Sequence, residues 1–207
     1  MKRVPHNLGK ARMVCTAGLG FPIVAPIGGL QISEMIPFNL AKATTKSNKG
    51  IHFFLDDYQF ERVWNDPFKY VSLFKCYAFI TSPDFSLFTN MPKVMQMWNK
   101  YRSMWLSVFF SNYGIKVVPT IQWSDTDSYD WCFDGLPCYG TIAVSSVGCL
   151  KNKKSKELFL KGYSKAIESL NPTQVIFYGK VPREITERGN LVIIEPFQSC
   201  FDKKGEC

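Results

Sequence analysis

Only two histidines, His6 and His52, occur in the 207 residues. That scarcity removes most zinc sites and leaves no credible Ser-His-Asp triad, and the GxSxG elbow is also absent. Seven cysteines are present, an odd number, at 15, 76, 132, 138, 149, 200 and 207. None of them forms a CxxC pair, which argues against a zinc site or a disulfide framework. Cys76 and Cys149 sit in apolar runs and read as small buried hydrophobes, whereas Cys200 and Cys207 near the tail are candidates for adventitious reactivity. No apolar run approaches the ~20 residues of a membrane-spanning helix. The basic N-terminus (Lys2, Arg3, Lys10, Arg12) is followed by a stretch that Gly and Pro interrupt, unlike a secretory signal. A cytoplasmic protein with no membrane contact is therefore expected. GxxxxGK[ST] is missing, so no Walker-type phosphate loop is present. Internal repeats, low-complexity tracts and runs of five like charges are also lacking.

What is present is an ordinary globular composition, 46% apolar and 20% charged, with a net charge of +8. The positive balance suits either an acidic partner, such as nucleic acid or nucleotide, or simple solubility. Residues 1–50 are broken by Pro5, Pro22, Pro26, Pro37 and several glycines, and read as an irregular arm. Within it, FPIVAP at 21–26 is a candidate edge strand and KATTKSNKG at 42–50 a polar loop. Residues 1–207 are expected to form one domain with that arm packed on its core.

From residue 51 the pattern alternates strand and helix. Strands are expected near 51–55, 76–82, 115–122, 141–146, 174–178 and 191–195. They are rich in Val, Ile and Phe and lack strict alternation, as strands buried on both faces do. A broken helical stretch spans QFERVW and DPFKYVSLF, with Asp66 as cap before Pro67. A long helix runs from Asn90 as cap to Gly114. Another, amphipathic over 151–170, ends at Asn171-Pro172. The fold class is thus α/β, a mostly parallel sheet of about six strands with flanking helices. A curved, incomplete barrel is favoured, because nearly every strand end carries polar residues. An open doubly wound three-layer sandwich is the alternative.

Those strand ends carry the candidate chemistry. IHFFL runs into Asp56 and Asp57, CYAFITS into Asp84 and Ser86, and IKVVPTIQW into Ser124 and Asp125. TIAVSS ends at Ser145 and Ser146, and TQVIFYG at Tyr178 and Gly179. In a parallel sheet these clusters share one rim, where α/β folds place their sites. Asp57, Asp84 and Asp125 would then be catalytic residues and ligands of Mg²⁺ or Mn²⁺, since clustered carboxylates need a cation or a shared proton. Each also has a plain structural use as a cap or turn residue. Asp125, Asp127 and Asp130 lack the Gly and Glu of a calcium loop.

Glu61, Trp123, Ser145, Asn152, Lys180 and Arg183 complete the candidate rim, the last two as phosphate binders. Arg102 lies among aromatics and is expected to pair with Glu61 or Asp84. Helix 91–113 is apolar nearly all round, as a buried core helix is, or one that self-associates or meets a host protein. His52, at a strand start, would lie at the wrong end of the sheet.

FLDDYQFERVWNDP, SPDFSLFTNMP, NKYRSMW, VVPTIQWSD, CFDGLP, AVSSVGC with Asn152, and IPFN at 36–39 form a specific motif set. With it, residues from about 35 to 180 resemble an uncharacterised family of bacterial, phage and mobile-element proteins. The resemblance implies a phage or mobile-element context and marks Asp57, Glu61, Asp84, Arg102, Trp123 and Asp125 as family features. It carries no reaction. Three readings stay open: a hydrolase-like enzyme acting on nucleic acid or nucleotide, a non-catalytic binder of nucleic acid or a host protein in replication control or anti-defence, and a glycosidase-like hydrolase.

Overall fold

A computed structural model describes residues 7, 10–11, 13–16, 18–32, 34–43, 46–186 and 190–196. The basic residues Lys2, Arg3 and Arg12, His6, and the tail cysteines Cys200 and Cys207 lie outside the described residues.

The fold is α/β, and among the described residues all strand pairs are parallel. Strands β1 (Met35–Pro37), β2 (Gly50–His52), β3 (Phe79–Thr81) and β4 (Val117–Val118) pair in that order in one sheet. Strands β5 (Thr141–Ser145), β6 (Gln174–Tyr178) and β7 (Leu191–Ile194) form a second. One sheet of about six strands was expected, and the described residues form seven strands in two sheets. The sheets meet at a single parallel bridge, Thr120 with Ala143. Pro119 has no N–H to continue the ladder, which explains the break after two residues of β4. β1 was not foreseen, because three residues carry no period. FPIVAP forms no strand, only a bridge of Pro22 with Cys15. Neither sheet reverses its strand order, so no doubly wound switch point forms. Among the described residues β1 and β7 do not pair, so no closed barrel forms.

Period two divides the strand residues between two sides. Met35, Phe79, Val118, Ala143, Ile176, Tyr178 and Ile194, from six different strands, pack into one cluster. Gly50 leaves room there for the Phe79 ring beside it, since a Cβ would collide with that ring. The alternate residues face the helices. Ile51, Ile80 and Val117 meet α1 (Glu61–Asn65), α2 (Phe68–Phe74) and α3 (Lys93–Asn112). Ile142, Val144, Val175 and Phe177 meet α4 (Lys153–Leu170) and part of α3. The N-terminal segment joins through buried Phe21 and Val24 and through the Ile27 carbonyl, which accepts from Thr141 N–H.

Two expected caps are replaced. α3 begins after Pro92 without a side-chain cap, and Gln96 rather than Asn90 ties the entry by donating to the carbonyls of Met91 and Phe88. α2 follows Pro67, not an Asp66 cap. Asn152 caps α4, accepting from Ser155 N–H at 2.9 Å. Most of α3 is buried, and exposure of its large apolar residues is confined to Val94, Met95 and Trp98 near its start.

Candidate functional site

The C-terminal ends of all seven strands open into one hollow of about 1160 Å³. β1 supplies Pro37, β2 His52 with Phe54, the segment after β3 Asp84, and the segment after β4 Gln122 and Trp123. β5 supplies Val144 and Ser145, β6 Tyr178, and the segment after β7 Pro196. Of the predicted site residues, Asp84, Trp123 and Ser145 line it. Asp57, Glu61, Arg102, Asp125, Asn152, Lys180 and Arg183 do not.

Three of those absentees have another task, which is to brace the segment carrying Asp84. The Asp57 carboxylate accepts from Ser86 N–H at 3.1 and 3.2 Å and from Ser86 Oγ at 2.9 Å. From the other side Asn99 Nδ2 donates to the Ser86 carbonyl at 2.7 Å. Arg102, only 8% exposed, donates to Asn99 Oδ1 and to Glu61 Oε1, both at 2.6 Å. Its guanidinium lies 3.8 Å over the Phe85 ring. Gln122 Nε2 donates to the Phe85 carbonyl at 2.7 Å. Backbone, hydroxyl and ring on both residues after Asp84 are thus fixed. The Asp84 carboxyl has no hydrogen-bond partner among the described residues.

Asp84 lies on the floor of the hollow, in contact with some water yet with protein on most sides. Burial first, and then the nearby Asp57 charge, push its carboxyl up to about 8. It is therefore largely protonated at neutral pH, a donor as well as an acceptor. Cys149, across the hollow after β5, has its thiol pushed up by burial and then by Asp84.

The carboxylates do not gather. Asp125 precedes a 3-10 turn over Thr126–Ser128, and its backbone carbonyl accepts from Ser128 Oγ at 2.6 Å. Among the described residues no group of three or more His, Cys, Asp or Glu could hold a metal ion. Asp57, Asp84 and Asp125 thus do not form a self-standing Mg²⁺ or Mn²⁺ site. The lining carboxylates, Asp84 and Asp56, are too few by themselves, so the donor set fits an ion only together with oxygens that a ligand brings.

Trp123 is seated against α4, donating from Nε1 to the Leu158 carbonyl at 3.2 Å, with its ring 5.5 Å from that of Phe159. Ser145 Oγ accepts from Val147 N–H at 3.2 Å. Asn152 is taken up as the α4 cap, while its neighbours Lys151 and Ser155 line the hollow. Lys180 is exposed, and its carbonyl accepts from Ser146 Oγ at 2.9 Å. Arg183 is exposed beside Glu184, which pairs with Lys156 at 2.7 Å.

His52 was placed at the wrong end. It is the last residue of β2, because Phe53 N–H leaves the ladder for Thr81 Oγ1. It therefore stands at the C-terminal rim and lines the hollow. Its ring lies 4.4 Å from that of Tyr178 and 5.6 Å from that of Phe54. Nδ1 accepts from Phe54 N–H, which assigns the proton to Nε2. Nε2 is buried and has no partner among the described residues. Burial pushes the imidazole down to about 3, so it is neutral. Phe54 and Phe88 were likewise missed as lining residues, whereas Tyr178, placed on the rim by its strand end, does line the hollow. The signal for them was their place at or just beyond a strand end.

Among the described residues no helix is long and apolar enough to cross a membrane. No solved structure matches the chain. Two curated relatives are both called "Gene 1 protein". One, of Mycobacterium phage L5, is 42% identical over 136 residues, which are 66% of this chain and 59% of that protein. The other, of Mycobacterium phage D29, is 32% identical over 186 residues, 86% of this chain and 68% of that protein. The chain thus spans between about three-fifths and two-thirds of the relatives it matches. A family profile described as a domain of unknown function, DUF4417, matches residues 19–198, and the chain belongs to that family.

Proposed function

We propose that the hollow binds a phosphate-containing ligand, a nucleotide or a nucleic acid, and that Asp84 is the group that meets it. One observation carries this reading: the protein devotes a network of five side chains to fixing the two residues after Asp84, yet leaves that carboxyl unpartnered on the floor of the hollow. Groups held by their surroundings and left free at the tip are what a binding or catalytic site requires. In its neutral form Asp84 offers a hydrogen bond to a phosphate or base without repelling it. Trp123, Phe54 and Tyr178 give flat walls for a base, and Lys151 gives a counter-charge. The two sheets then act as one curved, open barrel that surrounds the ligand, with residues 1–50 as an arm of a single domain.

In the enzyme reading Asp84 acts as a general acid or base; Asp84 would hold Mg²⁺ or Mn²⁺ only in its ionised form, which the ion's own charge would favour, and the ion would then neutralise the ligand's phosphate charge. Binding without turnover is the second reading. It is favoured by the positions of Asp57 and Asp125, which lie outside the lining and leave Asp84 only the exposed Asp56 as a carboxylate companion there. The phage origin of the matched relatives supports a task in the cytoplasm of an infected cell.

Titration of the Trp123 fluorescence with nucleoside monophosphates and short oligonucleotides, with and without Mn²⁺, tests the proposal. Binding should fall at least tenfold in Asp84→Ala, which removes the donor, and persist in Asp127→Asn, an exposed carboxylate outside the lining. Affinity should decline steeply with salt. Binding indifferent to Asp84→Ala, or none by either probe, refutes the assignment. Product formation that Asp84→Asn abolishes separates the enzyme from the binder.

A further inference from the structure

The mouth of the hollow is apolar where its floor is polar. Leu40, Phe88 and Val147, from the segments after β1, β3 and β5, all line the hollow and are 47, 61 and 54% exposed. A ligand small enough to sit wholly inside would leave those three side chains in water. Large exposed apolar groups gathered around one opening mark a surface that something covers. The flank beside them is basic. Lys151 lines the hollow, Lys153 and Lys154 stand exposed in the first turn of α4, and Lys180 is exposed next to Ser146. Among the described residues none of these four lysines is ion-paired. A free counter-charge beside free flat apolar surface fits a chain that alternates phosphates with unstacked bases. A duplex hides its base faces and offers Phe88 nothing to stack on.

We infer that the ligand is single-stranded nucleic acid, one nucleotide entering the hollow while its neighbour stacks on Phe88 at the mouth and its phosphates follow the lysines of the α4 start. The inference rests on the proposed binding of a phosphate-containing ligand and names its class. The hollow supplies contacts to one nucleotide, and the rim supplies the gain of a polymer over a monomer. That gain is therefore separable from binding on the floor.

Fluorescence anisotropy of a labelled deoxythymidine strand of about ten nucleotides, within the usual span of single-strand sites, tests this. Competition with thymidine monophosphate and with a blunt duplex of equal length completes the set. The single strand should bind at least tenfold tighter than either competitor. Phe88→Ala should weaken the strand about tenfold more than it weakens the mononucleotide, the loss of one stacked base at the mouth. Phe88 is exposed, so the variant should melt like the parent. The pair Lys153→Ala, Lys154→Ala should flatten the salt dependence of strand binding by about 1.4 in log–log slope. A mononucleotide as tight as the strand, or a strand indifferent to Phe88→Ala, overturns the inference while the proposed site stands. An equally tight duplex overturns it in the same way. Should neither strand nor mononucleotide bind, both fall, and the rim is left as a surface for protein.

Discussion

Gly162 stands inside α4, where replacing glycine by alanine ordinarily stabilises a helix by about 1 kcal/mol. Here the opposite sign is expected. A Cβ on Gly162 would fall on Trp123, in collision with Nε1 and the five-membered ring. The indole is large and is tied to Leu158 O, so it cannot yield as a flexible chain end would. Overpacking of this kind costs about 1–3 kcal/mol. Losing the indole hydrogen bond costs about 1 more. Subtracting the helix gain leaves Gly162→Ala destabilising by about 1–3 kcal/mol. For a chain of this size that lowers Tm by roughly 2–12 °C. Thermal unfolding followed by circular dichroism reads the shift, and the indole emission reports the displacement of Trp123. The decisive arm is the double mutant. In a Trp123→Ala background the collision is gone, so Gly162→Ala should become stabilising, by about 0.5–1 kcal/mol. A Gly162→Ala protein that melts higher than the parent, or the same sign in both backgrounds, refutes the account of how Trp123 is seated.

Asp57→Ala should cost about 2 kcal/mol in chemical denaturation, since Ser86 loses three contacts to a charged acceptor. An effect under 0.5 kcal/mol would show that the brace does not hold the segment. Arg102→Lys should cost about 2 kcal/mol, because an ammonium cannot keep both Asn99 and Glu61 while lying over Phe85. Asp84 makes stability depend on pH with a defined sign. Its ordinary value is 3.8 and its folded value about 8, so between these the native state keeps a proton that the unfolded chain has lost. Stability should therefore fall as pH rises from about 4 to about 8 and level off above, by about 1–3 kcal/mol given its partial contact with water. His52 and Lys100, both lowered by burial, tilt the curve the other way. The quantity to measure is thus the difference between the parent and Asp84→Asn, and a difference that does not vary with pH would sink the assignment. Ligand binding should weaken above about pH 8, where the ionised carboxylate repels phosphate.

The strand–helix alternation, the parallel pairing and the rim were legible because each rests on local signals, an apolar run followed by a polar stop. The position of a strand's last residue is not local. His52 was misjudged because IHFFL is apolar throughout, and only Thr81 Oγ1, on the neighbouring strand, takes Phe53 out of the ladder. β1 escaped for the same reason: Met35–Pro37 becomes a strand through its neighbour Gly50–His52, not through any pattern of its own. The split of one expected sheet into two traces to Pro119, which was visible in the sequence. Its consequence depends on pairing beyond β4, where Thr120 alone bridges to Ala143.

The acidic residues show a different limit. Asp57, Glu61, Asp84 and Arg102 were singled out together, and the structure divides them into support and tip. Composition and spacing cannot make that division, because a carboxylate that holds Ser86 and one that faces a hollow are the same residue type at similar strand ends. What separates them is the count of donors each accepts from. Asp57 takes two from Ser86, the N–H and the hydroxyl, in three contacts, whereas Asp84 takes none among the described residues. The division also explains the protonation of Asp84. A carboxylate given donors would stay ionised, but the donors on Ser86 go to Asp57, whose negative charge then adds to the burial that keeps Asp84 neutral. Replacing Asp57 by Asn should therefore lower the Asp84 value toward the ordinary carboxylate range even where the fold survives. A carboxyl resonance of Asp84 that titrates at the same pH in Asp57→Asn would break the link between brace and tip.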